Sequence, residues 1–73
     1  MRLPRVSGKK TVETLLKADF IVHRVHGSHY ILKHPETGRR VTIPYHREVL
    51  APKTLHSILK QADISQETFA GLL

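Results

Sequence analysis

The spacing of apolar positions changes along this chain, and the changes predict its elements. Val12, Leu15 and Leu16 recur at i, i+3 and i+4, the stripe of an amphipathic helix. Ser7, just before Gly8 and Lys9, is a suitable N-cap. That helix should end near Ala18, with Asp19 in the left-handed position that glycine usually fills. Residues 20–25 are rich in β-branched and aromatic side chains and predict a strand. A turn at His26-Gly27-Ser28 leads to a second strand over 29–34. A four-residue turn, Pro35-Glu36-Thr37-Gly38, leads to a third strand over 39–43. Connections this short predict an antiparallel meander. After a loop over 44–50, Pro52 stands where proline opens a helix. Leu55, Ile58, Leu59 and Ala62 form that helix's apolar stripe, and Asp63 repeats the role of Asp19 at its end. Ser65 can cap a short last helix whose Phe69, Leu72 and Leu73 fold back onto the core.

The predicted order is α-β-β-β-α with a short tail helix, an α+β fold in one domain spanning 1–73. Two amphipathic helices and a three-stranded antiparallel sheet bury each other best as two layers, with both helices on one face. Side chains alternate between the faces of a strand. With Phe20, Val22, Tyr30, Leu32, Val41 and Ile43 turned to the helices, the open face carries Ile21, His23, Val25, His29, Ile31, Lys33, Arg40 and Thr42. A bulge at the Gly27 turn would change this parity for the first strand. Basic groups on such a face suit phosphates, and exposed aliphatics suggest a protein partner that covers them.

Composition narrows the class of function. At 73 residues the chain has room for one core. It lacks cysteine, which excludes disulfides and thiolate zinc sites and fits a cytoplasmic setting. Twelve Lys and Arg against six Asp and Glu give a net charge of +6, which attracts polyanions. No stretch has the length of a membrane span, and residues 1–6 are basic without the apolar centre of a signal peptide. The basic residues are dispersed, unlike a membrane-binding polybasic cluster. Scattered acids give no paired-carboxylate site, and there is no glycine-rich phosphate loop.

The unusual feature is six histidines. Histidine transfers protons near neutral pH. RNA supplies its own nucleophile, the 2′-hydroxyl, so cleavage needs a base, an acid and positive charge for the transition state, but no cofactor or metal. On pattern alone His29 is read most simply as a surface strand residue. It is also the best-placed candidate for proton transfer, because Gly27 lets an RNA backbone approach and Ser28 can donate a hydrogen bond. His46 and Ser28 are both candidates for sharing the proton transfer. Arg24, Lys33, Arg39 and Arg40 can contact phosphates, as can Lys53 and Thr54 at a helix start, where ordinary capping is an equal reading. His23, His26 and His29 flank one turn without zinc spacing or a completing ligand, so no metal site is expected. His26 reads as a solvated turn residue, His34 as a strand closer and His56 as a solvated helix residue.

The segment Gly27-Ser28-His29-Tyr30-Ile31-Leu32-Lys33-His34-Pro35 resembles the core motif of the HicA toxin family. Gly38-Arg39-Arg40-Val41-Thr42-Ile43-Pro44 with His46 is similar to that family's third strand and following loop, and residues 52–62 to its second helix. The resemblance runs from about Leu3 to the C-terminus. It implies a double-stranded-RNA-binding-like fold and an mRNA interferase toxin that cuts transcripts, with His29 catalytic. It also implies a HicB-type antitoxin that binds the toxin and masks that histidine. The chain departs from the family at Asp19 and Asp63, where glycine is frequent. Two other readings of the same residues are a non-catalytic RNA-binding module and a basic protein-interaction domain.

Overall fold

The computed structural model describes residues 3–73; Met1 and Arg2, part of the basic stretch over 1–6, lie outside them. The element order is α1 (Gly8–Lys17), β1 (Ile21–His26), β2 (His29–Lys33), β3 (Arg40–Pro44), α2 (Pro52–Ala62) and α3 (Gln66–Leu72). This is the expected α-β-β-β-α arrangement with a tail helix. The Ser7 side chain accepts from the Lys10 amide, and the Ser65 side chain from the Thr68 amide, so both predicted N-caps form. Asp19 (φ 72°) and Asp63 (φ 58°) are the non-glycine residues with positive φ among those described. Each closes its helix in the same way. The Asp19 and Phe20 amides donate to Leu16 and Leu15, and the Asp63 and Ile64 amides to Lys60 and Leu59, which is the Schellman pattern.

The strands form one antiparallel sheet in the order β1-β2-β3. The β2–β3 register pairs Leu32 with Val41 and Tyr30 with Ile43, and these side chains face the helices as expected. β1 departs from the expected parity. Its register shifts between Val22 and Arg24, so His23 is an extra, bulged residue, and the bulge lies there and not at the Gly27 turn. Beyond the bulge every side chain changes face. Arg24, opposite Ile31, and His26, opposite His29, turn to the open face, while Val25, opposite Tyr30, turns to the helix side. β1 also begins at Ile21, because Phe20 donates its amide to the end of α1 and buries its ring in the core.

α1 and α2 both pack against β3. The helix layer is therefore offset toward one edge of the sheet, and all of β1 is exposed, including Val22 and Val25 on its helix side. The core joins Val12 and Leu15 of α1, Leu32, Val41 and Ile43 of the sheet, the predicted α2 stripe and Phe69 of α3. Leu16 is exposed, and its expected place in the buried face goes to Thr11 and Thr14. Their hydroxyls donate to the Ser7 and Lys10 carbonyls at 2.8 and 2.7 Å, so both side chains are buried fully satisfied. Leu73 is exposed and Leu72 half-buried, leaving Phe69 as the anchor of α3. The stretch over 44–50 is more than a loop. Ser7 bridges Val49 and the Leu50 amide donates to Val6, tying the segment before α1 to the segment before α2.

Candidate nucleic-acid interface

The register arranges the open face in three rows. The outermost, at the hairpin end, is His26-His29-Pro44; the next is Arg24-Ile31-Thr42; the third is Ile21-Lys33-Arg40. Side chains directly opposite across a sheet have Cβ atoms about 4.5–5.5 Å apart, and rows two residues apart along a strand are separated by roughly 6.6 Å. His29 is thus flanked by a second imidazole, with three cations in the two rows behind it. None of the three strands contains an acidic residue.

His29 owes its position to the hairpin tip. β1 and β2 are joined by Gly27 and Ser28 alone, with Gly27 at φ 60°. A positive φ at the first central residue only is the type II′ pattern, in which glycine is preferred. Nothing lies within 4 Å of where a Gly27 Cβ would be, so the approach to the tip is open. The Ser28 carbonyl accepts the Tyr45 amide at 2.6 Å, which fastens the tip to the chain leaving β3. Behind it, on the helix side, the Tyr30 and Tyr45 rings stack at 4.1 Å and 17°. His29 is therefore an exposed side chain on a braced backbone.

The remaining candidates divide clearly. Among the described residues, Arg24, Lys33 and Arg40 make no ion pair or side-chain hydrogen bond within the protein, whereas Arg39 pairs with Asp63 at 3.6 Å and reaches the Gln61 carbonyl. His34 is structural: its Nδ1 accepts from the Glu36 and Thr37 amides at 3.2 and 3.4 Å, and its ring meets Phe20 edge-on. His46 is exposed, and its backbone knots the loop to α1 by accepting the Lys9 amide. His56 is exposed on α2. No three His, Asp or Glu side chains gather as a metal-binding group among the described residues. His26 is exposed, as its sequence context predicts, but it closes β1 instead of lying in the turn, and Tyr45 carries no signal in the sequence. The two-residue hairpin loop was the available signal for His26, because it places the flanking residues opposite each other.

Both helix N-termini lie at the His29 end of the sheet. Gly8 abuts the Pro44 carbonyl, while the far end of α1 leads to Phe20 beside His34. α2 ends near Arg39 and so begins toward Pro44, with Lys53 exposed in its first turn. The N-cap Ala51 supplies no side-chain hydrogen bond, and no acid occupies the first turn of either helix. The two helix N-termini thus add positive potential toward the end that carries His29.

A cavity of about 560 Å³, lined by Leu3, Pro4, Arg5, Val49, Leu50, Pro52 and Gln66, contains none of the candidate residues. No helix among the described residues is long and apolar enough to cross a membrane. A family model described as the HicA toxin of bacterial toxin-antitoxin systems matches residues 8–64, well over half of the chain. No curated protein matches it. The chain belongs to the HicA toxin family.

Proposed function

We propose that this HicA family member is an endoribonuclease that cleaves messenger RNA and so blocks translation, with His29 as general acid or base. The observation that carries the reading is the open sheet face, where exposed His29 stands in front of Arg24, Lys33 and Arg40, which make no ion pair among the described residues, with no carboxylate in the strands. The RNA 2′-hydroxyl attacks the adjacent phosphorus, giving a 2′,3′-cyclic phosphate and a free 5′-hydroxyl. His29 moves a proton in that step, and the three cations hold phosphates and offset charge on the transition state. Gly27 and Ser28 let the RNA backbone come close to the turn. Lys53 extends the positive surface at the start of α2. The chemistry needs no metal, because the nucleophile belongs to the substrate.

The partner that restrains a toxin of this family is an antitoxin, here of the HicB type. It would cover the open face and with it His29. Exposed Ile21 on that face, with Val22 and Val25 on the other side of the same edge strand, offers it an apolar margin.

The test is incubation of the purified protein with a long RNA in EDTA beside His29→Ala. The wild type should cleave to cyclic-phosphate ends, and the variant should be slower by about 10²–10⁴-fold. Equal rates would remove His29 from the chemistry. RNA bound but uncut by the wild type would leave a binding module in place of a nuclease.

A further inference from the structure

Cleavage of RNA by its own 2′-hydroxyl moves two protons. One leaves the 2′-oxygen as the bond to phosphorus forms. The other must reach the 5′-oxygen as its bond to phosphorus breaks. In-line displacement puts these oxygens on opposite sides of phosphorus, so a single imidazole is poorly placed to serve both. The bulge at His23 supplies a second one. It returns His26 to the open face, and the two-residue loop sets it directly opposite His29, at the outer row of the sheet. Both side chains are exposed at a turn that nothing crowds. Each imidazole reaches outward from Cβ atoms about 4.5–5.5 Å apart, which leaves room for a phosphate between them within hydrogen-bond reach of each.

The other titratable groups among the described residues are less suited. His46, with Arg47 and Glu48 beside it, lies in the loop after β3, outside the strand rows, where its carbonyl accepts the Lys9 amide at the start of α1. The His34 Nδ1 is occupied by two backbone amides. Tyr30 and Tyr45 stack on the helix side of the sheet. His56 is carried by α2, in the layer behind the sheet. His23 stands on the far side of Arg24 from the turn. The third member of the outer row, Pro44, has no proton to give, and the charged groups sharing the face are Arg24, Lys33 and Arg40, all cationic.

From this register we infer that His26 is a second catalytic residue, forming with His29 an acid–base pair across the hairpin. The inference rests on the ribonuclease reading above. One imidazole, neutral, takes the 2′-hydroxyl proton as that oxygen bonds to phosphorus. The other, protonated, gives its proton to the 5′-oxygen as that bond breaks. The products are the cyclic phosphate and the alcohol, and the pair ends with its protonation exchanged.

The experiment is single-turnover cleavage of a short RNA in EDTA between about pH 5 and 8, the range where histidine titrates. It compares the wild type, His26→Ala, His26→Gln and His29→Ala, each checked for folding by circular dichroism. A matched substrate carries sulfur in place of the bridging 5′-oxygen. A thiol, with a pKa of about 8.5, departs without the proton an alcohol requires. The expected result is a bell-shaped profile for the wild type and loss of one limb in either His26 variant, with a rate about 10²–10⁴-fold lower. The sulfur substrate should restore whichever of His26→Ala and His29→Ala lacks the acid, and not the other. If the His26 variants cleave as the wild type does, with both limbs intact, His26 has no catalytic role and the ribonuclease reading stands. A slow His26→Ala with both limbs retained and neither variant rescued would mark a structural effect and also overturn the pair. A wild type that does not cleave removes the ribonuclease reading itself, and His26 with it.

Discussion

A methyl group added at Gly8 would lie 1.7 Å from the Pro44 carbonyl oxygen and 2.9 Å from its carbon. Both are backbone atoms, so no flexible side chain can give way. The same approach lets the Lys9 amide donate to the His46 carbonyl at 3.0 Å, which holds the loop after β3 against the start of α1. Alanine is intrinsically better than glycine in a helix by about 1 kcal/mol, but overpacking at such a contact costs about 1–3 kcal/mol. Gly8→Ala should therefore lower stability, read as a lower midpoint in urea with an unchanged slope. A raised midpoint would mean that the helix does not need this approach. In sequence Gly8 was legible only as a residue opening a helix, because its constraint comes from the backbone of another element. Thr11 and Thr14 were hidden for a related reason. Their hydroxyls are satisfied one turn back, so residues that read as polar are fully buried.

The two helix ends make a matched comparison between elements. Asp19 and Asp63 both hold left-handed backbone inside the same hydrogen-bonding pattern. A side chain in that conformation costs roughly 1–2 kcal/mol, and less for Asp than for most residues. A carboxylate at a helix C-terminus is also unfavourably placed against the dipole. Asp19→Gly should then raise stability by up to about 1 kcal/mol, a gain of several degrees in a thermal melt of a domain this size. Asp63→Gly should gain less, since Asp63 also meets Arg39, although an exposed pair of this kind is weak. A clear fall in melting temperature for both variants would overturn the cap reading. α3 lies beyond the residues matched by the family, yet Phe69 is fully buried in the common core. Phe69→Ala should cost about 3–5 kcal/mol, enough to unfold much of so small a domain. A variant that keeps its near-UV circular dichroism and its melt would show α3 to be dispensable. The elements themselves, their caps and the α2 stripe were readable from period and turn chemistry. The parity of β1 follows only if the break in alternation at His23-Arg24 is taken as a bulge, since two polar residues between Val22 and Val25 also fit a strand with one valine on each face, and one inserted residue changes the face of everything after it.

Across the whole molecule charge is distributed by layer. All six acids lie outside the strands, while the strands carry Arg24, Lys33 and Arg40 together with His23, His26 and His29. The net charge of +6 was legible from composition, but its direction depends on topology, which gathers cations on the open face and aligns both helix N-termini toward His29. If RNA lies on that face, its phosphates displace counterions there. The affinity should then fall steeply with salt, with log K declining by about 0.7 per neutralised phosphate on a single strand. In a His29→Ala background, where cleavage is expected to be slow, each of Arg24→Gln, Lys33→Gln and Arg40→Gln should reduce that salt slope by roughly 0.7–1. Arg39→Gln should leave it nearly unchanged, since Arg39 is already engaged with Asp63 and the Gln61 carbonyl. Lys17→Gln should do the same, its Nζ donating to the Leu72 carbonyl. Fluorescence anisotropy of a labelled oligouridine across a salt series measures every slope. Equal reductions in all five variants would mean that the positive field acts diffusely around the molecule. A loss confined to the three strand residues would locate the RNA on the sheet, over the row that holds His26 and His29.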